Sequence, residues 1–148
     1  MGYTHYFRHG ETTEDKWAAI VEDCKTLHDN LPGDIWIAGW DGTGKPVFDK
    51  DKIRFNGAKP AAYETFQISR KPERNGWEDE RRMPFKFCKT ARQPYDLFVC
   101  ACLLVYKRHS PDTMELGSDG DAVDWVDAER FVHAVLGYNA SFELFVDR

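Results

Sequence analysis

No stretch of this 148-residue chain approaches the roughly 20 consecutive apolar residues that a membrane-spanning helix needs. The longest apolar run is the decamer 97–106. An apolar leader is also missing from the first residues, so the expectation is a cytoplasmic protein with no membrane contact. Cysteine is sparse. Cys24, Cys88, Cys100 and Cys102 contain no C-x-x-C pair, which excludes the common zinc-ribbon and thioredoxin-type motifs and predicts buried, reduced thiols. Positive charge is in deficit, with 20 basic against 25 acidic residues and a net charge of −5. General nucleic-acid binding, which depends on phosphate neutralisation, is therefore excluded. Repeats and low-complexity tracts are absent. The length suits a single domain over 1–148.

Metal-binding patterns are also lacking. His5 and His9 are four apart, but on a strand leading into a loop rather than on one helix face. Asp119, Asp121 and Asp124 lack the spacing and the closing Glu of a calcium loop, and acidic residues at a helix start follow from the helix dipole alone. No Ser/His/Asp order is visible. The reading is no metal and no cofactor. The segment Gly39-Trp40-Asp41-Gly42-Thr43-Gly44-Lys45 has P-loop spacing. Pro46 replaces the Ser or Thr that would hold magnesium, and strand-like residues follow, so a hairpin turn is predicted.

The periodicities give an α+β plan. Residues 2–7 read as a strand. Thr12 or Thr13 caps a helix whose apolar face is Trp17, Ile20, Val21, Cys24, Leu27 and Leu31. A strand at 35–40 is apolar on both faces and is placed centrally. Short strands follow at 47–48, 53–56 and 63–68. Residues 69–86 read as a charged, exposed, mobile loop. The apolar decamer is a buried helix with Pro94 at its first position, running to about Arg108. A strand at 114–117, a helix at 122–136 stopped by Gly137, and a closing strand at 142–146 complete the chain. The expected architecture is a mainly antiparallel sheet with about three helices on one face.

Charge is unevenly distributed. Residues 70–92 carry eight basic and four acidic side chains, a segment of +4 in a chain whose remainder is −9. Lys89, Thr90 and Arg92 fall just before the buried helix. Helix N-termini attract anions through free N–H groups and the dipole, so this end is a candidate anion site.

A second motif is Arg8-His9-Gly10-Glu11-Thr12. It resembles the R-H-G-E-T signature of the histidine phosphatase superfamily, which implies His9 as a phosphate-accepting nucleophile with Arg8 on the phosphoryl group. That superfamily also uses a second His and a further Arg, and no S-x-x-R-A segment or late His-Gly is present here.

A resemblance spans the whole chain. Met1-Gly2-Tyr3-Thr4-His5-Tyr6, Ile53-Arg54-Phe55-Asn56-Gly57, Glu64-Thr65-Phe66, Phe87-Cys88-Lys89-Thr90-Ala91-Arg92, Pro94-Tyr95-Asp96 and Ser118-Asp119-Gly120 with Trp125 together resemble, in the same order, a family of small tailed-phage and prophage proteins. Gln93 departs from the usual Lys and removes one positive charge. The resemblance implies a phage or prophage origin and supplies no activity.

The polar residues of these blocks are His5, Asn56, Glu64, Lys89, Thr90, Arg92, Asp96, Ser118 and Asp119. Tyr6, Phe66, Tyr95 and Trp125 are the aromatics. Cations hold phosphates, aromatics stack on bases, and amides and carboxylates read polar edges. The expected function is a non-enzymatic binding protein that captures an anionic small molecule, nucleotide-like, as a phage counter-defence. The alternatives are a phosphohydrolase built on Arg8 and His9, and a module that inhibits a host protein through loop 69–86. A second copy of the chain is a further partner. The plain structural roles for the same residues are a helix cap for Asp96, a turn for Thr90, and core for Tyr6 and Trp125.

Overall fold

The computed structural model describes residues 2–147. Strand β1 (Thr4–His9) leads into helix α1 (Glu14–Asp29), whose start is capped by the Thr13 side chain on the Lys16 amide. Four strands follow: β2 (Ile37–Ala38), β3 (Val47–Phe48), β4 (Lys52–Gly57) and β5 (Phe66–Ser69). After a long loop come β6 (Phe85–Lys89), α2 (Asp96–His109), β7 (Met114–Ser118), a 3-10 turn at Ala122–Trp125, α3 (Val126–Leu136) and the short α4 (Phe142–Phe145).

Every strand pairing is antiparallel, as expected for α+β, but the strands form two sheets rather than one. In the first, β1 lies between β6 and β7, with His5 opposite both Cys88 and Ser118. In the second, β3 and β5 flank β4, and β2 joins the end of β4. The expected central strand at 35–40 is corrected to the two-residue β2 at an edge. Its apolar flanks, Trp36 and Trp40, are 73% and 59% exposed, so apolar residues on both faces did not signal burial here.

Helix α2 is the hub. Ten consecutive residues, Phe98 to Lys107, are buried, and α1, α3 and α4 pack against it. Lys107 is tolerated because its ammonium donates to the Pro111 and Met114 carbonyls and pairs with Asp147 at 3.1 Å. One hydrophobic cluster joins the helices to both sheets, with Phe7 and Phe66 rings 5.9 Å apart between them.

Three boundaries differ from expectation. Pro94 precedes the helix, Tyr95 is its N-cap and Asp96 its first residue. Strand β6 begins at Phe85, inside the end of the segment 69–86 expected as loop. The closing strand is instead helix α4, started by the Ser141 side chain on the Leu144 amide. Only Phe142 of that alternating trio is buried, stacked 4.3 Å from Trp125, while Leu144 is exposed. Gly137 ends α3 at φ +80°, a left-handed conformation that suits glycine.

Candidate functional site

Strand alternation decides what β1 presents. His5, Phe7 and His9 point into the core, and Tyr6 and Arg8 point away. Two histidines therefore lie on a buried face, each requiring its own account.

His5 sits in a closed polar network. Its Nε2 lies 2.7 Å from Asp96 Oδ1 and its Nδ1 lies 2.8 Å from Ser118 Oγ. The carboxylate can only accept, so Nε2 carries the proton and Nδ1 accepts from the Ser118 hydroxyl. Asp96 also accepts from Thr90 Oγ1 at 2.6 Å and from the Cys100 thiol at 3.6 Å. Burial opposes ionisation of Asp96, but the hydrogen bonds from His5, Thr90 and Cys100 hold its carboxyl below the usual range. The order Ser118–His5–Asp96 is that of a catalytic triad, which the linear sequence did not reveal. Ser118 Oγ already accepts from Gly120 N at 2.9 Å and from Trp125 Nε1 at 3.4 Å. With both lone pairs engaged, it is a structural hydroxyl rather than a poised nucleophile.

Asp96 also decides the fate of the proposed helix-end berth. The anion at the start of α2 is the chain's own carboxylate, turned inward. Arg92 pairs with Asp124 at 3.2 Å, and its guanidinium lies 3.9 Å from the centre of the Tyr3 ring. Ala91 and Arg92 both take positive φ, 51° and 58°, held by amides of Thr90 and Ala91 that donate to the Tyr3 carbonyl. The Lys89 ammonium instead lies 6.0 Å from the Tyr63 ring. Lys89 and Arg92 thus have separate partners, and the expected joint anion site at Lys89, Thr90 and Arg92 is not assembled.

The remaining residues divide between two places. Asp119 closes the β1–β7 end, accepting from the Thr4 amide and the Tyr6 hydroxyl, each at 3.0 Å. Asn56, Glu64 and Tyr95 instead tie down the β4–β5 connection. Asn56 bonds Trp40, Tyr63 and Gly57 backbone groups with both ends of its amide. Glu64 accepts from the Lys89 amide at 2.7 Å, and Tyr95 donates to the Glu64 carbonyl at 2.6 Å. Phe66 is core. The side chains of this set hold the fold together; of the plain roles expected, Trp125 is core, but Asp96 is not the helix cap and Tyr6 points away from the core.

The Tyr3 hydroxyl is buried and has no hydrogen-bond partner among the described residues. An added Cβ on Gly120 would stand 2.1 Å from that oxygen. Gly120→Ala is therefore expected to cost about 1–3 kcal/mol, the range of core overpacking, read as a lowered midpoint in urea.

His9 is different. Its Nδ1–H donates to the Gly10 carbonyl at 3.2 Å, and Nε2 is buried without a partner. Burial pushes its pKa down to about 4, so the ring is neutral at pH 7. Arg8 faces the other way. It donates to the Met83 carbonyl and lies over Phe85, so the expected pairing of Arg8 with His9 on one phosphate is not formed.

His9 contributes to the wall of a cavity of about 630 Å³. Lys52, Arg70, Lys71 and Lys86 also line it, against Asp51 and Glu73, with Gln67 and Ser69 between. The β4–β5 register sets Lys52 opposite Ser69, and the Arg70 amide donates to the Asp51 carbonyl at 2.9 Å. Lys86 arrives from β6, opposite Phe7. None of the four cations is in an ion pair among the described residues. Sequence reading noticed the basic run that holds Arg70, Lys71 and Lys86, but not Lys52, which long-range strand pairing brings in.

No helix is long and apolar enough to cross a membrane among the described residues. Compared with models of known families, with curated proteins and with solved structures, the chain matches none.

Proposed function

We propose that this chain binds an anionic small molecule, of nucleotide size, in the cavity between the end of β5 and the β1–β6 pair. The single observation that carries this reading is the set of four cations around one cleft, none of them in an ion pair among the described residues. Lys52, Arg70, Lys71 and Lys86 outnumber the two carboxylates there, in a protein that is acidic as a whole. Four cations against two carboxylates leave an excess of positive charge, which raises the local potential and favours a bound anion. The volume lies in the range of small-molecule sites. Gln67 and Ser69 add neutral hydrogen-bonding groups for a sugar or base. The counter-defence role, sequestering a nucleotide messenger, rests on the phage-family resemblance together with this cavity.

Nothing favours phosphoryl transfer. His9 Nε2 is sealed from solvent and Arg8 lies elsewhere. Binding without turnover is the reading that these two facts support.

Calorimetry tests it. ADP, ATP and inorganic pyrophosphate are expected to bind, and adenosine is not. Lys52→Glu with Lys86→Glu should weaken binding at least tenfold, about 1.4 kcal/mol or more. Lys89→Ala and Arg92→Ala should leave it within twofold. Absence of binding by every phosphorylated ligand, or indifference to the charge reversals, defeats the proposal.

One observation favours a second reading, the host-protein module. Trp77 is 80% exposed at the tip of the charged loop, which Glu78 fastens by accepting from the Asn75 and Phe85 amides. A large aromatic on an anchored loop suits a hot spot. A Trp77→Ala variant that retains every partner of the parent removes this option.

A further inference from the structure

We infer that His5, Asp96 and Cys100 form a zinc site with one open coordination position. Three donors of different chemistry converge there, within 4.8 Å of one another: His5 Nε2, an Asp96 carboxylate oxygen and Cys100 Sγ. His5 comes from the central strand β1. Asp96 and Cys100 stand one helical turn apart on the same face of α2.

The separations fit a tetrahedral ion. With zinc–nitrogen and zinc–oxygen distances of about 2.0–2.2 Å and zinc–sulfur of about 2.3 Å, ligand atoms stand roughly 3.3–3.6 Å apart. Cys100 Sγ lies 3.4 Å from His5 Nε2 and 3.6 Å from Asp96 Oδ2. The other carboxylate oxygen, Asp96 Oδ1, lies 2.7 Å from His5 Nε2 and shares a proton that zinc would replace. A small rotation of the carboxylate would set one of its oxygens as the third ligand, within the 4.8 Å that spans the three donors.

The surroundings match what a zinc site needs. Thr90 orients the Asp96 carboxylate, and Ser118 holds the second nitrogen of His5, the outer contacts that fix ligand orientation. The buried Tyr3 hydroxyl has no partner among the described residues, and its ring meets His5 edge-on with centroids 5.1 Å apart. A water or ligand atom in the fourth position would give it a partner. The Asp96 side chain, 19% exposed, is the way in. One nitrogen, one sulfur and one oxygen suit zinc, whereas magnesium and calcium take all-oxygen sets.

The protons balance. Zinc binding releases one proton, from the Cys100 thiol. The neutral imidazole keeps its single proton but moves it from Nε2 to Nδ1, where Ser118 Oγ accepts it in place of the longer, 3.4 Å bond from Trp125 Nε1. The Ser118 hydroxyl proton is then free to turn away from the ring.

Cobalt(II) added to the full chain is the test. One equivalent should give the near-ultraviolet thiolate-to-cobalt absorption, and zinc should abolish it. Calorimetry with zinc in two buffers of different ionisation enthalpy should show about one proton released per ion. Cys100→Ser should remove the band, and Asp96→Asn should weaken zinc binding at least tenfold. Cys102→Ser and Cys88→Ser should keep the band. A folded parent chain without the band overturns the inference, as does a band that survives Cys100→Ser or vanishes in Cys102→Ser. The parent spectrum decides the matter even if a variant does not fold.

Discussion

Asp96→Ala is expected to lower the unfolding free energy by about 3–5 kcal/mol, the cost of stranding the buried donors that its carboxylate satisfies. The carboxylate is the common acceptor for His5, Thr90 and Cys100. Its loss strands the Nε2–H of a completely buried imidazole and two further donors. Each orphaned buried group costs about 1–3 kcal/mol. Asp96→Asn keeps the shape and one acceptor oxygen, so its loss should be roughly half as large. Urea unfolding in the presence of a chelator separates this packing effect from any bound metal. A loss under about 1 kcal/mol for the alanine variant would mean that the network is replaceable by water, contrary to the geometry.

The second large effect is loss of stability in mild acid. His9 is held neutral, with its pKa lowered from 6.5 to about 4 by burial. A folded value below the unfolded one means that the unfolded chain takes up the proton first. The stabilisation is complete above pH 6.5 and is lost as pH falls toward 4. The linkage amounts to about 2 kcal/mol lost by pH 5 and about 3 kcal/mol by pH 4. His28 shifts in the same direction, also through burial, and adds to the loss. Carboxylates such as Asp96 and Asp124 have lowered values and contribute only at lower pH. His9→Leu should flatten most of the slope between pH 6.5 and 4.5, because the orphaned nitrogen is replaced by an apolar group of similar bulk. Urea midpoints across that interval for parent and variant check this. Equal slopes would show that His9 is not the responsible group.

Local chemistry made much of the fold legible. The three- and four-residue spacing from Trp17 to Leu31 marked α1, the apolar decamer marked α2, and Gly137 marked the end of α3. What misled was non-local. Residues 35–40 are apolar on both faces, yet Trp36 and Trp40 face solvent because β2 pairs only at the end of β4. Phe142, Leu144 and Val146 alternate like a strand, but Ser141 starts a helix and Phe142 stacks on Trp125.

The site residues divide in the same way. His5, Thr90, Asp96 and Ser118, all expected among the ligand-binding residues, meet one another instead. Their meeting is a buried network that Cys100 completes, and β-pairing with a helix packed on it is what builds it. Arg92 looked free in sequence because Asp124, its partner, is far along the chain. Lys52 was overlooked for the converse reason: its neighbours Arg70, Lys71 and Lys86 come to it only through the β4–β5 and β1–β6 pairings.

The most direct test of the anion-binding account is a backbone-amide NMR titration with ADP. It predicts that the largest shifts fall on Lys52, Ser69, Arg70, Lys71 and Lys86, and that Lys89 to Asp96 stay unmoved. Shifts centred on residues 89–96, or no saturable shift at all, would contradict it.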